Sequence, residues 1–191
     1  MDNIFGEIEN LINVPPVVVG INGLDCAGKT NLANALYKDL LRRDIDAALL
    51  HTDDYNNGDL QKIVYEAQEK GVLTEDLLNL YYNDSIHYDR AVEAVIESRK
   101  KVDVTIIEGV FLFKECLRSL LDIKVFLYVD PEEAQARYVM RKKKVGDNRP
   151  LSVFKDIWLP SFERYCREEK PEILCEVYMS SRWICRPSNR K

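Results

Sequence analysis

Five short aliphatic runs punctuate the chain: VVVGI at 17–21, AALL at 47–50, VTIIE at 104–108, KVFLYV at 124–129 and ILCEVYM at 173–179. They are apolar almost without alternation, which suits strands covered on both faces rather than on one. Segments of helical length lie between them: 30–43, two or three pieces within 59–101, then 114–121, 131–144 and 151–169. In the first of these, Leu32, Leu36 and Leu40 recur every fourth residue and form a stripe that lays one helix face on a sheet. Strands alternating with helices predict an α/β fold with a parallel sheet, and no internal repeat, low-complexity tract or long linker interrupts the pattern.

Composition narrows this picture only slightly. With 191 residues, 46% hydrophobic and 31% charged, the chain is ordinary for a globular protein and is expected to form one domain over 1–191. No apolar run approaches the roughly 18 residues of a membrane span, and the start, MDNIFGEIENLINV, is acidic where a secretory signal is basic. A cytoplasmic location with no membrane partner is expected. The five cysteines are odd in number and form no CxxC pair, so they read as reduced thiols rather than as a disulfide frame or zinc site.

Chemistry enters at GLDCAGKT, Gly23 to Thr30, which fits G-x-x-x-x-G-K-[ST] at every fixed position between an apolar run and an amphipathic segment. Such a loop needs glycine so that successive backbone N–H groups can converge on phosphate oxygens. Lys29 would reach the β- and γ-phosphates, Thr30 would offer a hydroxyl to Mg²⁺, and the helix N-terminus would add partial positive charge. Gly23, Asp25, Cys26, Ala27, Gly28, Lys29, Thr30 and Asn31 are therefore the candidate nucleotide-binding residues. Cys26 reads either as neutral packing or as a redox handle at a helix N-terminus.

Carboxylates at the C-terminal ends of parallel strands face the ligand crevice. The second run ends in HTDDYNNGD, which places Asp53, Asp54 and Tyr55 on the acceptor side, although Asp and Asn are also ordinary turn formers. A carboxylate there can take a proton from an acceptor hydroxyl. The third run ends at Glu108, positioned to hold Mg²⁺ through a water, and Gly109 lets the chain turn away. Residues 137–149, RYVMRKKKVGDNR, hold six basic residues against one acidic. This stretch reads either as a solvated helix face or as a lid over approximately 137–150. On a helix Arg137 and Arg141 share one face, whereas Lys142 and Lys143 turn towards solvent. A second basic stretch, approximately 180–191, ends the chain.

GLDCAGKT, TDDY, IIEGVFLF, ARYVMRKKK and IWLPSFERY occur in the order and approximate spacing of the uridine kinase-like family of P-loop kinases, and the chain resembles that family from about Val17 to Tyr178. The resemblance implies a three-layer P-loop NTPase fold, a five-stranded parallel sheet with helices on both faces. It further implies Mg²⁺ and ATP as donor and a small-molecule hydroxyl as acceptor. By position, Asp53 resembles the family's catalytic aspartate, Glu108 its metal-side glutamate, and Arg137 and Arg141 its lid arginines. HYDRAVEAV resembles the stretch whose aspartate holds ribose hydroxyls, which points to Asp89; an N-cap of the following helix is the alternative. Uridine kinases carry an inserted hairpin before the metal-side strand, but here only RAVEAVIESRKKVDVTII separates Asp89 from Glu108. This shorter layout looks more like the nicotinamide riboside kinases of the same group.

Rival readings have weaker support. A guanine-nucleotide switch should carry N-K-x-D after its fourth strand, and none is present. A phosphate-loop ATPase or a regulatory nucleotide-binding module would lack an acceptor, yet Lys29, Thr30, Asp53 and Glu108 are all in place. The net charge of −5 and the scarcity of aromatics in the basic stretch speak against nucleic acid as a partner. Nothing indicates an oligomer.

Overall fold

The computed structural model describes residues 2–12, 14–147 and 149–180. The C-terminal basic stretch beyond residue 180, Cys185 within it, and Asn148 lie outside the described residues. In chain order the elements are α1 (Asp2–Leu11), β1 (Val17–Gly23), α2 (Lys29–Arg42), β2 (Ala47–His51), α3 (Gly58–Glu69), α4 (Glu75–Asp84), α5 (Tyr88–Arg99), β3 (Val104–Gly109), α6 (Glu115–Arg118), β4 (Ile123–Tyr128), α7 (Pro131–Val145), α8 (Leu159–Glu169), α9 (Pro171–Leu174) and β5 (Val177–Ser180). A 3₁₀ turn, Thr52–Tyr55, follows β2, and a π-helical turn, Phe154–Trp158, precedes α8. The sheet order is β2-β3-β1-β4-β5 and every pairing is parallel, giving the expected three-layer P-loop fold with helices on both faces. Among the described residues no helix is long and apolar enough to cross a membrane.

Apolar continuity in the sequence translates directly into position. All seven residues of β1 are buried, as are all six of β3, the two strands at the heart of the sheet. Leu32, Leu36 and Leu40 of α2 are buried together, as their spacing requires. Two expectations need correction. The fifth strand starts at Val177, not at 173, because Pro171 opens a single helical turn after the left-handed Lys170 (φ 48°), leaving Ile173 exposed. The segment 151–169 is not one regular helix: Pro160 has no N–H to give the carbonyl four residues back, and the chain widens into a π turn just before it. Helix α1, which places Ile8 in the core, was not anticipated; Gly6 interrupts a pattern carried by Ile8, Leu11 and Ile12.

Two buried arrangements hold the strand tips in place. Asn22 at the end of β1 donates through Nδ2 to the Tyr165 hydroxyl on α8 (2.7 Å), and that hydroxyl also accepts from the Phe113 N–H (2.9 Å). The IWLPSFERY segment thereby anchors the chain leaving β3. At the other tip, Gly109 lies against Thr52, the first residue after β2. A Cβ on Gly109 would sit 1.7 Å from Thr52 Oγ1 and 2.7 Å from its Cβ. Glycine is required here by proximity, since its φ is not left-handed.

Gly109→Ala is therefore expected to destabilise the protein by about 1–3 kcal/mol through overpacking, read as a lower urea midpoint at unchanged m. Thr52→Ala on that background should recover part of the loss, because the nearest clashing atom is the Thr52 hydroxyl, which is buried without a hydrogen-bond partner. An unchanged midpoint in the single variant would show that the two chains separate freely.

Candidate functional site

The phosphate loop runs from the tip of β1 into α2 and turns left-handed at Cys26 (φ 62°) and at Gly28 (φ 104°). Alternation of right- and left-handed residues folds backbone N–H groups into an anion-binding concavity. Gly23 is fixed by space, because a Cβ would stand 2.4 Å from the Leu127 carbonyl oxygen of β4. Lys29, buried at the start of α2, donates from Nζ to the Leu24 carbonyl at 3.0 Å, which curls its ammonium back over the loop. The loop forms one wall of a cleft of about 590 Å³, whose lining includes Asp25, Cys26, Gly28, Lys29, Thr30, Asn31, Asp53, Glu108, Arg137 and Arg141.

The candidate metal pair lies in contact. Thr30 Oγ1 donates to Glu108 Oε1 at 2.8 Å, and His51 Nδ1 lies 2.7 Å from the same oxygen. His51 stands opposite Glu108 in the β2–β3 register, so strand pairing sets this contact. Sequence reading passed over His51, although its place at the end of the second run was a visible signal. Among the described residues no group of three or more His, Cys, Asp or Glu could hold a metal by itself. A hydroxyl and a carboxylate at the mouth of a phosphate cradle do suit Mg²⁺, a hard cation that keeps waters and takes its remaining ligands from substrate phosphates.

The thiol of Cys26 is half-buried, and burial pushes its pKa up, with the charge of Asp25 adding to the effect against the pull of Arg141 and Lys29. This balance is opposite to the one that activates a thiol as a redox handle. Cys26, Cys116, Cys166 and Cys175 are all free thiols.

Arg137 and Arg141 of α7 both line the cleft. Arg137 donates from one terminal nitrogen to the carbonyls of Cys26 (3.3 Å) and Ala27 (3.2 Å) and pairs with Glu133 through the other (2.6 Å). The remainder of the basic run is divided. Lys143 and Lys144 are exposed, but Lys142 does not turn to solvent as its angular position suggested: its Nζ donates to the carbonyls of Asp147 and Arg149. The chain turns back at the left-handed Gly146, which brings these two carbonyls of the segment after the helix over Lys142. Beyond it Arg149 holds the Asp147 carboxyl down to about 2, and the Arg149 guanidinium lies 4.8 Å from the Trp158 ring. Tyr138 packs with Phe154 and Trp158, so one face of α7 belongs to the core.

Next to the main cleft is a small polar pocket of about 60 Å³. Asp25, Asp53 and Arg141 border both spaces. The 3₁₀ turn separates the neighbouring carboxylates: both are exposed, but Asp53 lines the two pockets and Asp54 lines neither, and Tyr55 is half-buried outside both. Asp89 is exposed in the first turn of α5 and lines neither pocket; the N-cap of that helix is His87, so the capping alternative for Asp89 does not hold. Among the other pocket walls, Gln61, Tyr65, Tyr81 and Ser85 were not singled out from sequence, and Arg149 and Trp158 only as parts of the basic stretch and of IWLPSFERY. Gln61 with Tyr65 and Tyr81 with Ser85 are each four apart on adjoining helices, a shared-face signal readable only once the pairing of those helices is known.

No protein-family model matches the chain. Among curated proteins it is 30% identical over 155 residues to a uridine kinase of Lactobacillus johnsonii, with 72% of each chain covered. It is 28% identical over 161 residues to a uridine kinase of Leuconostoc citreum, with 74% of each covered. Among solved structures it superposes on a possible uridine kinase from Bacillus stearothermophilus with a TM-score of 0.64 at 20% identity, covering 93% of this chain and 96% of the other, a likeness of fold. Phosphate loop, strand order and relatives agree, and the chain belongs to the uridine kinase-like family of P-loop kinases.

Proposed function

We propose that the protein transfers the γ-phosphoryl group of ATP to a hydroxyl of a nucleoside or ribosyl compound, as the names of its relatives suggest. The observation that carries this reading is the meeting of two chemistries in one cleft: a phosphate loop with Lys29 and Thr30 on one side, and the Asp53 carboxylate, which opens onto a second polar pocket, on the other. An ATPase acting on water has no use for that second pocket.

Asp53 accepts the proton of the acceptor hydroxyl as its oxygen bonds to the γ-phosphorus and the bridging bond to the β-phosphate breaks, releasing ADP. Lys29 and the loop N–H groups hold the β- and γ-oxygens, and Arg141 neutralises the charge spread over the transferring group. Thr30 and Glu108 would hold Mg²⁺, which would supply neutralisation of the phosphate charge. The short α5–β3 connection extends the candidate acceptors from uridine to nicotinamide riboside. A closed α7 excludes water and suppresses idle hydrolysis.

ATP consumption measured against uridine, cytidine, nicotinamide riboside, pantothenate and simple sugars, with a no-acceptor control, tests the reading. Acceptor-dependent ADP release is expected, and hydrolysis indifferent to all of them would refute it. With an active acceptor, Lys29→Ala should weaken turnover at least about tenfold, the loss of a charge-assisted phosphate contact.

Asp53→Asn should lower kcat by at least about 10² and leave ATP affinity nearly intact, because the interaction it removes belongs to the transition state. Asp54→Asn should have a small effect, and the reverse ranking would move the base by one residue.

Arg141→Ala should reduce kcat more than Lys143→Ala, since only Arg141 lines the cleft. Amide exchange over 137–147 should slow when ATP is added. Equal variants and nucleotide-independent exchange would mark the segment as a solvated charge run.

A further inference from the structure

Glu108 is buried at the tip of β3, and a carboxylate in such a place must be met by hydrogen-bond donors. Both donors that reach it go to the same atom. The Thr30 hydroxyl donates to Oε1 at 2.8 Å, and His51 Nδ1 lies 2.7 Å from that oxygen. An ionised carboxylate has no hydrogen to give, so Nδ1 carries the hydrogen and donates it. Among the described residues none hydrogen-bonds to Oε2, while Glu108 lines the phosphate cleft. One oxygen is thus held by the protein and the other is left over.

The donors differ in origin. Thr30 lies in the first turn of α2, where the phosphate loop ends, and its hydroxyl oxygen is itself a candidate to hold the cation. His51 stands on β2 opposite Glu108 in the parallel ladder, so strand backbone sets its position. It lines neither the cleft nor the small polar pocket, and Glu108 is its one side-chain hydrogen-bond partner among the described residues. A residue so placed can act on a ligand only through Glu108.

We infer that His51 is a positioning residue for the Mg²⁺ site: its Nδ1–H clamps Oε1 of Glu108, so that the remaining carboxylate oxygen is presented to a divalent cation held by Thr30 and the nucleotide phosphates. The inference rests on the reading of Thr30 and Glu108 as the metal-holding pair. Without the clamp the carboxylate turns about its side-chain bonds, and ordering it again subtracts from metal affinity. The phosphate loop keeps its own contacts, so nucleotide binding in the absence of metal does not depend on His51. As the last residue of β2, His51 also roots the Thr52–Tyr55 turn that carries Asp53, and the metal side and the acceptor side share this anchor.

The test uses the full chain and a non-hydrolysable fluorescent ATP analogue, whose Kd is measured in excess EDTA and again in saturating Mg²⁺. The ratio of the two constants reports what the metal adds to binding and needs no turnover. His51→Leu should lower that ratio by about tenfold, as removal of a group that orients a metal ligand does, and leave the Kd in EDTA within about twofold. His51→Asn, whose side-chain amide can place a donor near the position of Nδ1, should keep the ratio within about threefold of the parent. His51→Ala is a second donor-free variant at this edge-strand position should leucine not be accommodated, and the urea midpoint of each variant reports folding separately. An unchanged ratio in the donor-free variants overturns the inference. So does a Kd that weakens equally with and without Mg²⁺, which would make His51 a packing residue of the strand tip, and so does an asparagine variant that falls as far as leucine. A parent whose Kd ignores Mg²⁺ removes the metal-holding role of Thr30 and Glu108 and the inference with it, while acceptor-dependent ADP release still decides the kinase reading.

Discussion

The arrangement depends on one constraint: β1 is buried along its whole length, between β3 and β4. A strand enclosed on both faces has no room for charge, so polar chemistry can appear only where it ends. Since every strand is parallel to it, all of those ends open on one edge of the sheet, and Gly23, His51 and Glu108 arrive there together. The 2.8 Å contact between Thr30 and Glu108 follows from this geometry, because it joins the helix that leaves β1 to the tip of the strand beside it.

The same enclosure governs the loops that follow the strands. Asn22 is fully buried at the end of β1, and an amide in that position must be satisfied within the protein. It is satisfied by Tyr165, whose hydroxyl also takes up the Phe113 N–H. Burial raises the pKa of that phenol strongly, in keeping with a neutral hydroxyl that accepts from two N–H donors. A residue of α8 thus fixes the path of the chain leaving β3, and a late helix steadies the strand tip next to the phosphate loop.

The parts of this organisation visible in the sequence were those that depend on local pattern. Fully buried strands announce themselves as unbroken aliphatic runs, and the phosphate loop by glycines and lysine at fixed spacing. Glu108 and the shared face of Arg137 and Arg141 followed from strand ends and helical period, whereas strand-end placement offered Asp53 and Asp54 alike and the family resemblance singled out Asp53. What stayed hidden depends on distant partners. His51 acquires meaning only from its register with Glu108, and Lys142 only from the carbonyls that the chain presents after Gly146. The late start of β5 turns on Pro171 beginning a helical turn, a local signal outweighed in the sequence by the apolar character of Ile173 and Leu174. The polar pocket has walls from several helices and a turn, and no single window of sequence contains it.

Arg137 rests on the carbonyls of Cys26 and Ala27, inside the phosphate loop itself. The basic helix therefore reads the backbone of the loop, not only the charge of what the loop holds. Any ligand that alters those two carbonyls also alters the seat of the helix, and by thermodynamic reciprocity any displacement of the helix changes the affinity of the loop. In a protein so arranged, mutations on the far, solvent-facing side of α7 can tune nucleotide affinity without touching a nucleotide-binding residue, which gives natural variation a means of adjusting binding while the loop sequence stays fixed.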